Sequence, residues 1–366
     1  DMTGHVDVSA LLEPPSKEAV AALRVAAASR PDYARAAKAH PDVVGPIVGM
    51  LALFLMAGIL VSGGRFGFHG ASADGTVERI LIVAAIFAMT LVIIVWRVLG
   101  RRNDAWRRWT QLDALARANG MVFSPFGGAP DYPAAIFGVG EPRGVLDPLT
   151  VVPSNSTERR LDYGTYRYTI GGGKNRSVKR WGYLALQLDR ALPHMLLDAR
   201  ANNGLLGGTT LPTQFRRDQV LALEGDFNEH FTLYCPREYE RDAYYVFTPD
   251  LMALLIDNAA PFDVEIIDRW MFVYSTIAFD LEQPGLHQRM LQIIDTVGAK
   301  TLTQTDRYVD ERIGQFPPNI VAPQGQRLRK GFPAWAIALI AVAGGLVILP
   351  LIIALIAFIA VAAQVG

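Results

Sequence analysis

The chain has 366 residues, with 35 basic and 35 acidic side chains and a formal net charge of +0. That balance excludes a globally basic nucleic-acid binder, and the length allows one ordinary domain beside any apolar segments. The single cysteine, Cys235, excludes an intramolecular disulfide.

In chain order, Asp1 ahead of Met2 reads as a residue added before the native start. Residues 1–42 read as a helical arm: Ser16 caps an Ala-rich helix that runs to Ser29, and a short helix starts at Asp32. Three stretches, 43–61, 80–96 and 332–365, carry no ionisable side chain. A helix needs roughly 20 apolar residues to cross a bilayer core. The stretches therefore predict transmembrane helices over 43–62, 80–98 and 332–366, with a short external loop over 63–79. The first lies too far along the chain for a cleaved signal peptide. The Arg and Lys excess beside these stretches predicts a multi-pass bacterial inner-membrane protein. The N-terminus and middle domain would be cytoplasmic and the C-terminus outside.

Residues 99–120 predict a basic juxtamembrane helix ending near Asn119-Gly120. The candidate membrane-surface contacts are Arg97, Arg101, Arg102, Trp106, Arg107, Arg108 and Trp109, joined by Arg327, Arg329 and Lys330 before the last stretch. Gly45 and Gly49 form a Gly-x-x-x-Gly pair for helix packing. Gly344, Gly345 and Pro350 mark a kink and close-contact face in the long C-terminal stretch.

Residues 121–307 predict an α+β domain of antiparallel strands with segregated helices. Pro and Gly punctuate 121–155 into short strands and turns. Tyr163–Ile170 and Trp181–Leu188 alternate as a hairpin around Gly171-Gly-Gly173, with Leu184, Leu186 and Leu188 on one face. Phe231–Cys235 and Tyr244–Phe247 read as strands. Thr248-Pro249-Asp250 opens a helix. Val264–Ile267 and Trp270–Tyr274 read as a hairpin across Asp268-Arg269, and Leu286–Val297 as an amphipathic helix. Residues 308–331 read as a polar linker.

The segments Phe231-Thr-Leu-Tyr-Cys235, Tyr245-Val-Phe-Thr-Pro-Asp-Leu-Met252, Val264-Glu-Ile266 and Met271-Phe-Val-Tyr274 carry a resemblance, with Leu192–Asp198 as a further part of it. Over about 119–300 the chain resembles bacterial inner-membrane proteins with two N-terminal spans and a cytoplasmic domain of unknown function. The resemblance implies an α+β fold and supplies no catalytic residues. The third apolar stretch departs from that pattern.

No motif commits the chain to chemistry. Gly171-Gly-Gly-Lys174 lacks phosphate-loop spacing. His230 and Cys235 lie five residues apart along a strand, on opposite faces. Glu224, Asp226 and Glu229 lack calcium-loop spacing. No catalytic residue, cofactor or metal is assigned. The expected function is an integral membrane scaffold or accessory subunit without catalysis of its own. Its expected partners are membrane lipid and either another membrane protein or a second copy, not nucleic acid. One alternative is an enzyme acting on a lipid or other membrane-borne substrate, which a pocket gathering His194, Asp198, His230 or Glu224 would favour. The other is a transport component.

Overall fold

The computed structural model describes residues 6–39, 89, 103–154, 158–203, 209–313 and 319–331. Eight strands form one antiparallel sheet: β1 (Val122–Phe123), β2 (Phe126–Gly127), β3 (Arg143–Val151), β4 (Leu161–Ile170), β5 (Ser177–Ala199), β6 (Val220–Leu221), β7 (Phe231–Tyr234) and β8 (Asp263–Ser275). The order is β1-β3-β4-β5-β7-β6, with β2 also on β3 and β8 also on β5. The expected hairpin is β4–β5, in register from Leu161↔Leu186 to Ile170↔Ser177.

The long strand β5 organises the sheet. Its first half pairs with β4 and its last residues with β7, while β8 follows both halves. The register slips between Gln187 and Met195, so side chains change face there. Before the slip Leu184, Leu186 and Leu188 share one core, and after it Leu192, Met195 and Leu197 do. Strand β8 follows the same bend. Asp268 takes a left-handed φ of 52° opposite Leu192. The chain therefore kinks and continues, where the sequence pattern suggested a two-strand hairpin.

A second left-handed residue, Asp147 (φ 52°), sits in the bulge of β3 between Leu146 and Leu149. The bulge presses backbone against β4: a Cβ on Gly164 would lie 3.1 Å from the Pro148 Cα and 3.2 Å from the Leu146 carbonyl oxygen. Only glycine fits there without moving main chain.

The two faces of the sheet have different covers. Helices close the first face. The helix over 103–118 inserts Trp109, Leu112 and Leu115, Pro249–Ala259 inserts Leu251 and Leu255, and Pro284–Ile293 inserts Met290 and Ile293. This last helix continues through a π turn (Ile294–Gly298) into Ala299–Thr305, past its expected end. Irregular segments around Ala134–Phe137, Leu211 and Leu328 close the second face over an aromatic layer that includes Tyr166, Trp181, Tyr183 and Phe272. Residues 244–247, expected as a strand, are instead mostly helical: Glu240–Val246 buries Ala243 and Val246. With Tyr239 before them, these stand at helical spacing.

Among the described residues, no helix is long and apolar enough to cross a membrane. The helix over 103–118 carries Asp104, Arg107, Arg108, Asp113 and Arg117. A crossing needs roughly 20 predominantly apolar residues. This finding corrects the expectation of three transmembrane helices, and with it the membrane class and the multi-pass inner-membrane localisation. The architecture that stands is a sheet-rich antiparallel α+β fold. Apart from Met89, the three apolar stretches, with Gly45, Gly49, Gly344, Gly345 and Pro350, lie outside the described residues.

Candidate functional site

The densest cluster of chemically capable side chains lies under the second face. Past the register slip, β5 turns His194 and Asp198 toward that face, and β8 turns Asp263 and Glu265 the same way. All four are almost fully buried. Leu196 pairs with Glu265 and Leu197 with Val264, so Asp198 stands across from Asp263.

Glu265 gathers three segments. Its Oε2 accepts from the Ala135 backbone N–H at 2.9 Å and from the Tyr274 hydroxyl. Its Oε1 lies 2.6 Å from His194 Nε2, but neither atom meets hydrogen-bond geometry. We read this as a close electrostatic contact, because distance alone does not make a hydrogen bond. His194 Nδ1 accepts from the Leu328 backbone N–H at 2.9 Å. A backbone amide can only donate, so the ring hydrogen belongs on Nε2, facing the carboxylate. Burial, then the Glu265 charge, raises the Tyr274 hydroxyl well above its ordinary range, which keeps it a donor.

Asp263 accepts from the Ala199 N–H and the Asn202 side-chain amide, each at 2.8 Å. Burial still dominates and pushes its carboxyl up to about 7, with repulsion from Asp198 and Glu265 adding to the shift. Burial also raises Asp198, against the pull of Thr209, Asn203 and Arg200.

Of the four residues named for an enzyme's pocket, His194 and Asp198 face one side of the sheet. His230 and Glu224 are elsewhere: Glu224 is exposed and His230 half-buried at a helix end. Cys235 is buried, with its thiol directed at the Pro236 and Tyr239 carbonyls. Burial drives that thiol far above its usual range, so it is not a nucleophile at neutral pH. His287, under the first face, is held between the Tyr163 hydroxyl (2.9 Å) and the Leu281 carbonyl (2.8 Å), and burial lowers its pKa. Among the described residues no group of three His, Cys, Asp or Glu could hold a metal ion. Sequence reading missed Glu265, Asp263 and Tyr274. The usable signal was Asp263-Val-Glu265, two acids at strand spacing inside an apolar run.

The expected surface residues divide. Arg97, Arg101 and Arg102 lie outside the described residues. Trp109 is 4% exposed and meets Tyr33 and Trp106 edge-on. Trp106 is half-buried and stacks on Tyr33 at 5.7 Å. These rings seat the N-terminal arm on the helix over 103–118, aided by Asn119, which bonds the Asp7 backbone through both side-chain atoms. Arg108 pairs with Asp147 at 2.9 Å; burial pushes Asp147 up to about 6 and Arg108 opposes that shift. Arg107 is exposed, as are Arg327, Arg329 and Lys330. The last three belong to a segment that packs on the domain through Val321 and Leu328.

No family model matches the chain, and no curated protein matches it. Among solved structures it is similar to the mycobacterial trehalose monomycolate transport factor A, TtfA. The identity is 8% and the TM-score 0.33, over 51% of this chain and 92% of that one. At that TM-score the likeness carries no argument about this chain.

Proposed function

We propose that the chain is a non-catalytic accessory subunit whose α+β domain docks a partner protein or a second copy of itself. The observation that supports this reading is where the reactive groups go. His194, His287, Cys235 and Glu265 are buried and turned to partners inside the domain: backbone amides, carbonyls, tyrosine hydroxyls and, for His194 and Glu265, each other. Groups so held build the fold and have no free face for a substrate. An enzyme working through this cluster would need at least one of them open to a cleft.

The test is assembly. Full-length protein, purified in a mild uncharged detergent, should run by size-exclusion light scattering as a complex heavier than its 40.0 kDa chain, or carry a stoichiometric partner. His194→Gln should keep that assembly while lowering stability. A lone monomer with no partner would reject the reading.

A further inference from the structure

Strand β5 outruns its neighbour on one side. Its register with β4 runs on to Ile170↔Ser177, whereas β8 stops at Gly182↔Ser275. The last bond on the β8 side is from the Gly182 N–H to the Ile277 carbonyl at 3.2 Å. The chain then crosses over the strand and lays the Phe279 ring on Gly182, which has no Cβ to block that exit. Residues 177–181 are thus paired with β4 alone. Along a strand, successive main-chain groups point to opposite edges. The Gln187 N–H reaches the Arg160 carbonyl on the β4 side and the Gly182 N–H reaches the β8 side, so here odd-numbered residues face β4 and even-numbered ones face outward. The main-chain groups of Val178 and Arg180 therefore point away from the sheet. Among the described residues they have no hydrogen-bond partner, and Val178 is 41% exposed.

The side chains on this edge decide what can pair with it. Arg176, Lys179 and Arg180 are exposed, and among the described residues no carboxylate forms an ion pair with them. Arg180 stands directly across from Arg167 of β4, which makes that face doubly basic. Lys179 stands on the other face. A strand added to the edge carries side chains on both faces, so it meets Arg180 on one and Lys179 on the other. A second copy is a poor fit. In an antiparallel ladder, facing residues must turn their main chains the same way, so only residues of like parity can oppose each other. A two-fold centred on Val178 sets Arg176 against Arg180, one on Lys179 sets that lysine against itself, and one on Arg180 does the same with arginine. Like charges directly opposed are destabilising, and a lysine on an edge strand guards against self-pairing.

We propose that the 177–181 edge of β5 docks an extended, acidic segment of a partner protein by strand addition. The proposal rests on the reading of the chain as a docking subunit and names the surface and the kind of partner. Main-chain bonds to Val178 and Arg180 would supply affinity, and consecutive acids opposite Lys179 and Arg180 would supply specificity.

The experiment titrates the full-length chain into a fluorescein-labelled peptide, Thr-Val-Glu-Glu-Val-Thr, and reads anisotropy. The matching peptide with two lysines in place of the two glutamates should bind about 10-fold more weakly, and K179E/R180E should invert that order. Val178→Pro removes one outward N–H and keeps every charge. Proline is tolerated on a strand edge that faces solvent, so the urea midpoint should match wild type while peptide binding falls about 10-fold. If that variant loses stability, N-methylation of the peptide at its second glutamate makes the same cut with the protein unchanged. Equal binding of the acidic and basic peptides by wild type would overturn the proposal. So would binding that survives loss of the main-chain bonds, hexaglutamate binding as tightly as the strand peptide, or a wild-type dimer that Val178→Pro dissociates. Light scattering on the same samples separates this edge from the broader reading. A chain that carries a stoichiometric partner yet ignores the acidic peptide keeps the docking subunit and rejects the edge, and a lone monomer that binds the peptide does the reverse.

Discussion

The two faces of the sheet are buried to the same degree by different chemistry. Helices cover the first with aliphatic side chains packed in register, Leu184 and Leu186 against the layer that holds Leu112, Met290 and Ile293. Loops cover the second, and a loop cannot satisfy its own backbone as a helix does. The side chains under it supply the missing partners: Glu265 accepts from Ala135 and His194 from Leu328. The difference teaches that polar burial here follows from irregular cover. It also separates how each face should fail, since a cavity loses contacts while a broken polar network strands a buried donor or charge.

The largest expected loss is on the second face. Glu265→Ala leaves the Tyr274 hydroxyl and the Ala135 amide without their acceptor and removes the carboxylate beside His194, and should cost about 3–5 kcal/mol in urea unfolding of the full-length chain. A loss below about 1 kcal/mol would show that water replaces the carboxylate and would erase the contrast. The next effect depends on pH. The Asp263 carboxyl is raised to about 7 from an unfolded value near 3.8, so between these values the folded state holds more protons. Stability should therefore fall as pH rises through that window, by on the order of 4 kcal/mol from this group. Asp263→Asn should flatten the slope between pH 4 and 7; a slope that survives assigns the proton elsewhere.

On the first face, Leu184→Ala should cost about 3 kcal/mol, with no pH dependence of its own. A pH-dependent loss would mean that the faces are coupled through β5. The smallest effect concerns Thr248, which stands at the N-cap of Pro249–Ala259 but makes no side-chain cap bond, leaving its hydroxyl buried without a partner. A working cap is worth about 1 kcal/mol. Thr248→Val should change the thermal midpoint by less than a degree or two, and a larger drop would show that the cap forms in solution.

What could be read in advance was what local pattern controls. The β4–β5 hairpin was legible because alternation and three consecutive glycines both act within a few residues. The Pro249–Ala259 helix was legible from Pro at its first position. The second face was not legible. The Glu265 partners come from residues 135, 194 and 274, and no spacing rule links them. Trp109 among arginines looked like an interfacial anchor, yet Tyr33, far away in sequence, closes it off. The helix Glu240–Val246 was misread because Tyr244-Tyr245-Val246-Phe247 has strand composition. Its true period shows only once Tyr239 and Ala243 are counted with Val246. The kink at Asp268 is a tertiary effect, since β8 bends because β5 bends.

That shared bend bears on how the chain acquires its structure. Strand β5 meets β4 across a short turn, but it meets β8 only after the chain from residue 200 to 262 has been placed. Closing the second contact carries the larger loop entropy, so the hairpin should form early and β8 should dock late. Until then one edge of β5 stands open to any other strand. Newly made chains are most exposed to mispairing in that interval, and pulse-labelled amides of Gly182–Gln187 should gain protection in two separate phases.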